Sequence, residues 1–173
     1  GVPNACTTCH DDKTPEWASG QMDAWWGDGA RRQKSLSLAT TMYAAGTGDA
    51  TTVPALAALA VDRSQGAVIR ASALEYIARL AGARALEVPP AESQTSTVRS
   101  RQAELRSPRD GRVEPRVFGA LLGAASDPEP MVRAAAARTI GTLDQRDERA
   151  IAVLMARLVD DTRVVRARAA ESL

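Results

Sequence analysis

Side chains that carry most protein chemistry are scarce here: the 173 residues include one histidine, two cysteines, three tryptophans, two tyrosines and one phenylalanine. A single histidine leaves no nucleophile-and-base set to assemble. Two cysteines and one histidine fall short of the four ligands a structural zinc site takes. No phosphate-cradling glycine pattern is present, since "GDG" (27 to 29) and "GTGD" (46 to 49) are short and sit between helical stretches. No apolar run approaches the roughly twenty residues of a membrane helix. An excess of one charge is also missing: 22 basic residues face 21 acidic ones. The arginines are scattered among acids, which argues against nucleic acid as the main partner.

What is abundant is alanine, set in an apolar rhythm of three and four residues. The rhythm runs through "VPALAALAV" (53 to 61), "AVIRASALEYIARLAG" (67 to 82), "RVFGALLGAA" (116 to 125), "MVRAAAARTIGTL" (131 to 143) and "RAIAVLMARLV" (149 to 159). No stretch alternates with period two, so the chain is expected to be all-α. Breaks fall at Gly46 to Gly48, Asp62 to Gly66, Ser126 to Pro130 and Asp144 to Asp147. A repeat joins these pieces. "SDPEPMVRAAAARTIGTL" (126 to 143) and "DDTRVVRARAAESL" (160 to 173) superpose with Arg133 on Arg166, thirty-three residues apart, and "DRSQGAVIRASALEYIARL" (62 to 80) puts Arg70 in the same column. An Asp-bearing turn followed by Val-Arg or Ile-Arg and an Ala-rich helix is HEAT-like, so residues 31 to 173 are expected to stack as an α-solenoid of helical hairpins. The step from Arg70 to Arg133 leaves room for an inserted loop at about 83 to 113, rich in Pro, Ser and Thr, with a short helix expected around Val98 to Leu105. The final "VVRARAAESL" ends within a helical pattern without a stop signal, and the chain is expected to be part of something longer.

All the scarce sulfur and imidazole sits in one place. Cys6-Thr7-Thr8-Cys9-His10 matches C-x-x-C-H, the attachment pattern of c-type haem. Two thiols with this spacing add to the two vinyl groups of one porphyrin, and the adjacent imidazole reaches the iron as an axial ligand. A thioredoxin-like pair needs a βαβ setting that this chain lacks. A Cys6–Cys9 disulfide is the alternative for material that never received haem. Downstream, "KTPEWASGQMDAWWGDG" reads as a helix capped by Thr14, opened by Pro15, with Glu16 in its first turn, and ended by Gly27. Trp25 and Trp26 lie three and four residues beyond Met22, so these side chains share a face. With Trp17 they are candidates for covering a porphyrin, or for building a small core of their own. Residues 1 to 30 are the expected haem-binding segment.

"NACTTCHDDKTPEWASGQMDAWWG", followed by the repeat helices, resembles the C-terminal part of bacterial multihaem c-type cytochromes whose last haem segment runs into HEAT-like repeats. That resemblance implies one covalent haem c on Cys6 and Cys9, with His10 as proximal iron ligand. It further implies more haems upstream, electron transfer in the periplasm or at the cell surface, and partners that are other haem domains, redox proteins or subunits docked on the repeats. Such proteins often carry a second histidine after the tryptophan-rich segment, where this chain has "RRQKSLSLATTMYAAG" (31 to 46). The sixth-ligand candidates are then Met42 first, Met22, Lys34, or a group from elsewhere, with Met131 and Met155 assigned to packing. Two other functions are weighed. One is a haem enzyme with an open iron site, for which only Lys34, Arg31 and Arg32 stand near as polar groups. The other is an interaction scaffold in which haem is structural.

Overall fold

A computed structural model describes residues 5–27, 29–86, 114–143 and 147–173. Among these residues the secondary structure is helical, with no strand. The helices are α1 (Ala5–Cys9), α2 (Pro15–Trp26), α3 (Ala30–Gly46), α4 (Val53–Val61), α5 (Ala67–Leu86), α6 (Pro115–Ala124), α7 (Pro130–Thr142), α8 (Glu148–Arg157) and α9 (Arg163–Glu171), with a 3-10 turn at Ala50–Thr52. The all-α expectation holds. The chain forms two compact units, one ending at Thr40 and one from Thr41 to Leu173.

In the larger unit, α4–α5, α6–α7 and α8–α9 are hairpins, and α5, α7 and α9 stack side by side while α4 packs on α6. This is the α-solenoid that the repeat implies. Helix starts follow local rules: prolines stand in the first turns of α4, α6 and α7, where the missing N–H costs nothing. Asp147 caps α8 by accepting the Arg149 N–H at 2.9 Å. The core comprises Leu56, Leu74, Ile77, Leu121, Val132 and Ile140, all essentially fully buried. Helix α7 is the centre of the array. Val132, Ala134 to Ala137 and Ile140 are all buried, because α7 is covered by α5 on one side and α9 on the other. Alanine on both flanks lets the neighbouring backbones approach closely.

Successive repeats are joined by buried ion pairs. Arg70 Nη2 donates to Asp127 Oδ1 at 3.0 Å, and Asp127 also accepts the Glu129 N–H at 2.9 Å. One repeat further on, Arg133 donates to Asp160 through Nε at 2.9 Å and Nη2 at 2.8 Å. Its Nη1 bonds the carbonyls of Asp127 and Pro128 in its own turn. Asp160 in turn accepts the Thr162 N–H at 3.0 Å. The Arg133 hydrogen bonds hold the Asp160 carboxyl far below the usual carboxylate range although burial opposes them, and the Asp160 bond raises Arg133. The arginine column that aligned the repeats is thus the joint between them.

Two sequence expectations need correcting and two fall outside the description. Helix α5 continues to Leu86, four residues into the stretch assigned to the insertion, because the residues up to Leu86 are good helix formers and the breaking pair Pro89-Pro90 comes later. The remainder of that loop, and the helix expected around 98 to 105, lie outside the described residues. Met131 and Met155 do not fill the core: they are 53% and 54% exposed. Met131 stands in one column with Val68 and Val164, also exposed, so the repeat itself turns this position outward.

Three outcomes follow from the joints. Arg133→Ala leaves Asp160 buried without its partner and is expected to lower unfolding free energy by about 3–5 kcal/mol in urea titration. Arg138→Ala, which breaks the exposed pair with Glu75, should cost at most about 1 kcal/mol; equal losses would contradict the buried-joint account. Because Asp160 is depressed in the folded state, its contribution is present above the unfolded carboxylate pKa and is lost as pH falls from about 4 downward. Asp160→Asn should therefore flatten the acid limb of stability against pH, and an unchanged limb would contradict the assignment. At Gly141 a Cβ would lie 2.6 Å from Ser172 Cβ and 2.9 Å from its Cα. Gly141→Ala must push α7 from the chain end, and a loss of about 1–3 kcal/mol is expected by calorimetry.

Candidate functional site

The N-terminal unit collects every reactive side chain. Helix α1 carries Cys6 and Cys9, three positions apart, so both thiols project from one side of a single turn. The His10 N–H donates to the Cys6 carbonyl at 2.9 Å, and the Lys13 N–H donates to the His10 carbonyl at 3.1 Å. The imidazole therefore leaves the chain at the end of the turn that holds the thiols. Cys6 is half-buried, Cys9 exposed, and no disulfide joins them. His10 is exposed and packs on Trp17, ring centres 5.1 Å apart and planes tilted by 57°.

Helix α2 begins as its sequence dictates. Thr14 Oγ1 accepts the Trp17 N–H at 3.2 Å and Pro15 occupies the first turn. The Glu16 carboxyl is held below its usual value, first by its own backbone N–H and then by the Thr14 hydroxyl. Gly27 closes the helix at φ 52°, a conformation that disfavours residues with a Cβ. Trp25 and Trp26 meet edge to face at 5.5 Å, yet they remain 66% and 57% exposed. Met22 is half-buried. Among the described residues up to Thr40, Ala18 alone is buried.

Of the other candidates, Arg32 pairs with Asp23, and Arg31 and Lys34 are exposed. Met42 belongs to the larger unit, half-buried against the repeat core. The structure thus brings Cys6, Cys9, His10 and Trp17 together in one short segment. Among the described residues no cluster of three or more His, Cys, Asp or Glu side chains is placed to hold a bare metal ion. A porphyrin makes a different demand. Its thioether links and its iron ligand act on separate parts of one large ring, so thiols and imidazole need only stand in sequence along one face. Two thiols not joined in a disulfide, the adjacent imidazole and the exposed indoles of Trp25 and Trp26 fit that demand.

On the larger unit, α5, α7 and α9 line a groove of about 910 Å³. Val68, Met131 and Val164 contribute its apolar column, with Glu75, Arg138 and Arg168 among its charged residues. Sequence reasoning used the arginine column as an alignment marker without seeing its role, and the aspartate recurring in the turn before it was the available signal.

Residues 94–173, which contain α6 to α9, match a family model of HEAT repeats. Comparison with curated proteins and with solved structures finds no match. The match defines a HEAT-like repeat region over these residues, within a fold that is an α-solenoid from α4 to α9, and repeats of this kind commonly mediate protein interactions. Among the described residues no helix is long and apolar enough to cross a membrane.

Cys9 is exposed and Cys6 half-buried, so both are expected to react with a thiol reagent in the haem-free chain without denaturant, Cys9 the faster, giving two equivalents per chain. Modification only after unfolding would contradict the geometry.

Proposed function

We propose that this protein is an electron-transfer module in which one haem c is attached through Cys6 and Cys9, with His10 as the proximal iron ligand and the helical repeats as a docking scaffold. The observation that carries the reading is a deficit of core: a unit with three tryptophans and a C-x-x-C-H turn buries only Ala18 among its described residues. Covering a large apolar ring with Trp25 and Trp26 would bury what is otherwise exposed, about 1.5–3 kcal/mol for each large side chain, with Trp17, already half-buried against His10, completing the cover. When bound, the haem supplies the redox step. The chain supplies covalent attachment, an imidazole oriented against Trp17, and indoles that exclude water. Met42 is assigned to packing, since its side chain already rests on the repeat core. The partners of such a module are other haem domains or redox proteins, and attachment of c-type haem places it in the periplasm or at the cell surface.

The test is a reduced-minus-oxidised spectrum of protein made with haem-attachment machinery present, before and after acid–acetone extraction. Colour that survives extraction in the parent, and is lost in Cys6→Ala/Cys9→Ala, is the expected result. Met42→Leu should leave the reduced spectrum unchanged. A colourless parent contradicts the proposal and leaves the interaction scaffold as the account. A shift on adding carbon monoxide to the reduced protein would point instead to an open iron site and to the chemistry of a haem enzyme.

A further inference from the structure

Arg133 and Arg166 occupy the same position in successive repeats, thirty-three residues apart, and each grips its own turn in the same way. Arg133 Nη1 donates to the carbonyls of Asp127 and Pro128 at 3.1 and 3.0 Å. Arg166 Nη1 donates to the carbonyls of Asp160 and Asp161 at 2.7 and 3.2 Å. The forward side differs. Arg133 reaches Asp160 and Asp161 of the next hairpin, as Arg70 reaches Asp127. Among the described residues, Arg166 has no carboxylate within ion-pair distance.

The apolar surface repeats the pattern. Phe118 of α6 is 4% exposed, with the Arg149 guanidinium of α8 lying 5.0 Å from its ring centre, and Leu122 is half-buried against the core. Their counterparts one period later, Ile151 and Met155, are 45% and 54% exposed. These two lie four residues apart on α8, and Val159, just beyond the helix, extends the same line at 85% exposure. A guanidinium on α9 already oriented by backbone bonds, and on α8 of the same hairpin an apolar strip whose counterpart one repeat earlier is covered, form the near half of a repeat-to-repeat interface.

We infer that the α8–α9 end is a docking face for one further helical hairpin of the same construction. Its turn presents an aspartate to Arg166, and its first helix covers Ile151 and Met155. The occupant is identified by the interface one repeat earlier: the bidentate pairing of Arg133 with Asp160 states the charge required, and the covered Phe118 states the shape. This holds whether or not haem is attached at Cys6 and Cys9.

The test extends the full chain with a second copy of residues 141–173, one complete period, and compares unfolding midpoints. A rise of about 4 °C or more is expected, with slower amide exchange in α8 and α9. Replacing both aspartates of the added turn by asparagine, or making Arg166→Ala, should each remove at least half of the rise. Arg166→Ala should shift the unextended chain less than the extended one, because among the described residues Arg166 has a carboxylate only once the hairpin is added. No rise, or a rise indifferent to Arg166 and to the added aspartates, would overturn the inference. Light scattering on the unextended chain supplies the other arm. A monomer is expected, and a dimer broken by Met155→Glu would make a second copy of this chain the occupant and overturn the hairpin assignment.

Discussion

A buried arginine that reaches from one helical hairpin into the next is the joint on which the repeat unit depends. A hairpin of two short amphipathic helices cannot bury both of its faces, so each needs its neighbours. Burying a charge for that purpose is costly unless the partner is near and every remaining lone pair is used. Arg133 meets the condition with two bonds to Asp160, one to Asp161 and two to backbone carbonyls. Asp127 and Asp160 also accept backbone N–H groups just before the second helices of their own hairpins. Stacking, turn conformation and helix initiation are therefore one interaction, which fixes the register of each repeat on the last.

The N-terminal unit is built on the opposite logic. It is well specified locally, by a capped α2 and a helical turn that carries both cysteines, but among its described residues only Ala18 is buried. Helices as short as α1 are marginal in water without tertiary packing. Trp25 and Trp26 stand largely in solvent, and on the proposed reading a prosthetic group attached at Cys6 and Cys9 would be the principal apolar element that covers them. The two halves of the proposal then divide the work: the repeats provide a rigid surface, and the short unit provides the redox chemistry.

Much of this was legible from residues alone. The three- and four-residue rhythm located α4 and α6 to α8 to within a residue or two, the repeat located α9, and the Thr14-Pro15 start and Gly27 stop bracketed α2 correctly, because capping and periodicity act locally. Cys6, Cys9 and His10 stood out because nothing else in the chain resembles them. What escaped was longer-range. That α5 would run on to Leu86 depended on where the first proline fell, not on the apolar pattern. That Met131 and Met155 face outward depended on which column of the repeat they occupy, and an apolar residue in a helical pattern carries no mark of whether a neighbour covers it. The role of the arginine column needed the geometry of stacked hairpins.

The central claim is that haem is the missing interior of the N-terminal unit, and amide hydrogen exchange across α1 and α2, with and without covalent haem, tests it most directly. The account predicts that the amides of Ala18 to Trp26 exchange close to the open-chain rate in the haem-free protein and are strongly protected once haem is attached, while α5 and α7 are protected in both. Equal protection of α2 in the two forms would mean that the tryptophans already make a sufficient core, and would contradict it.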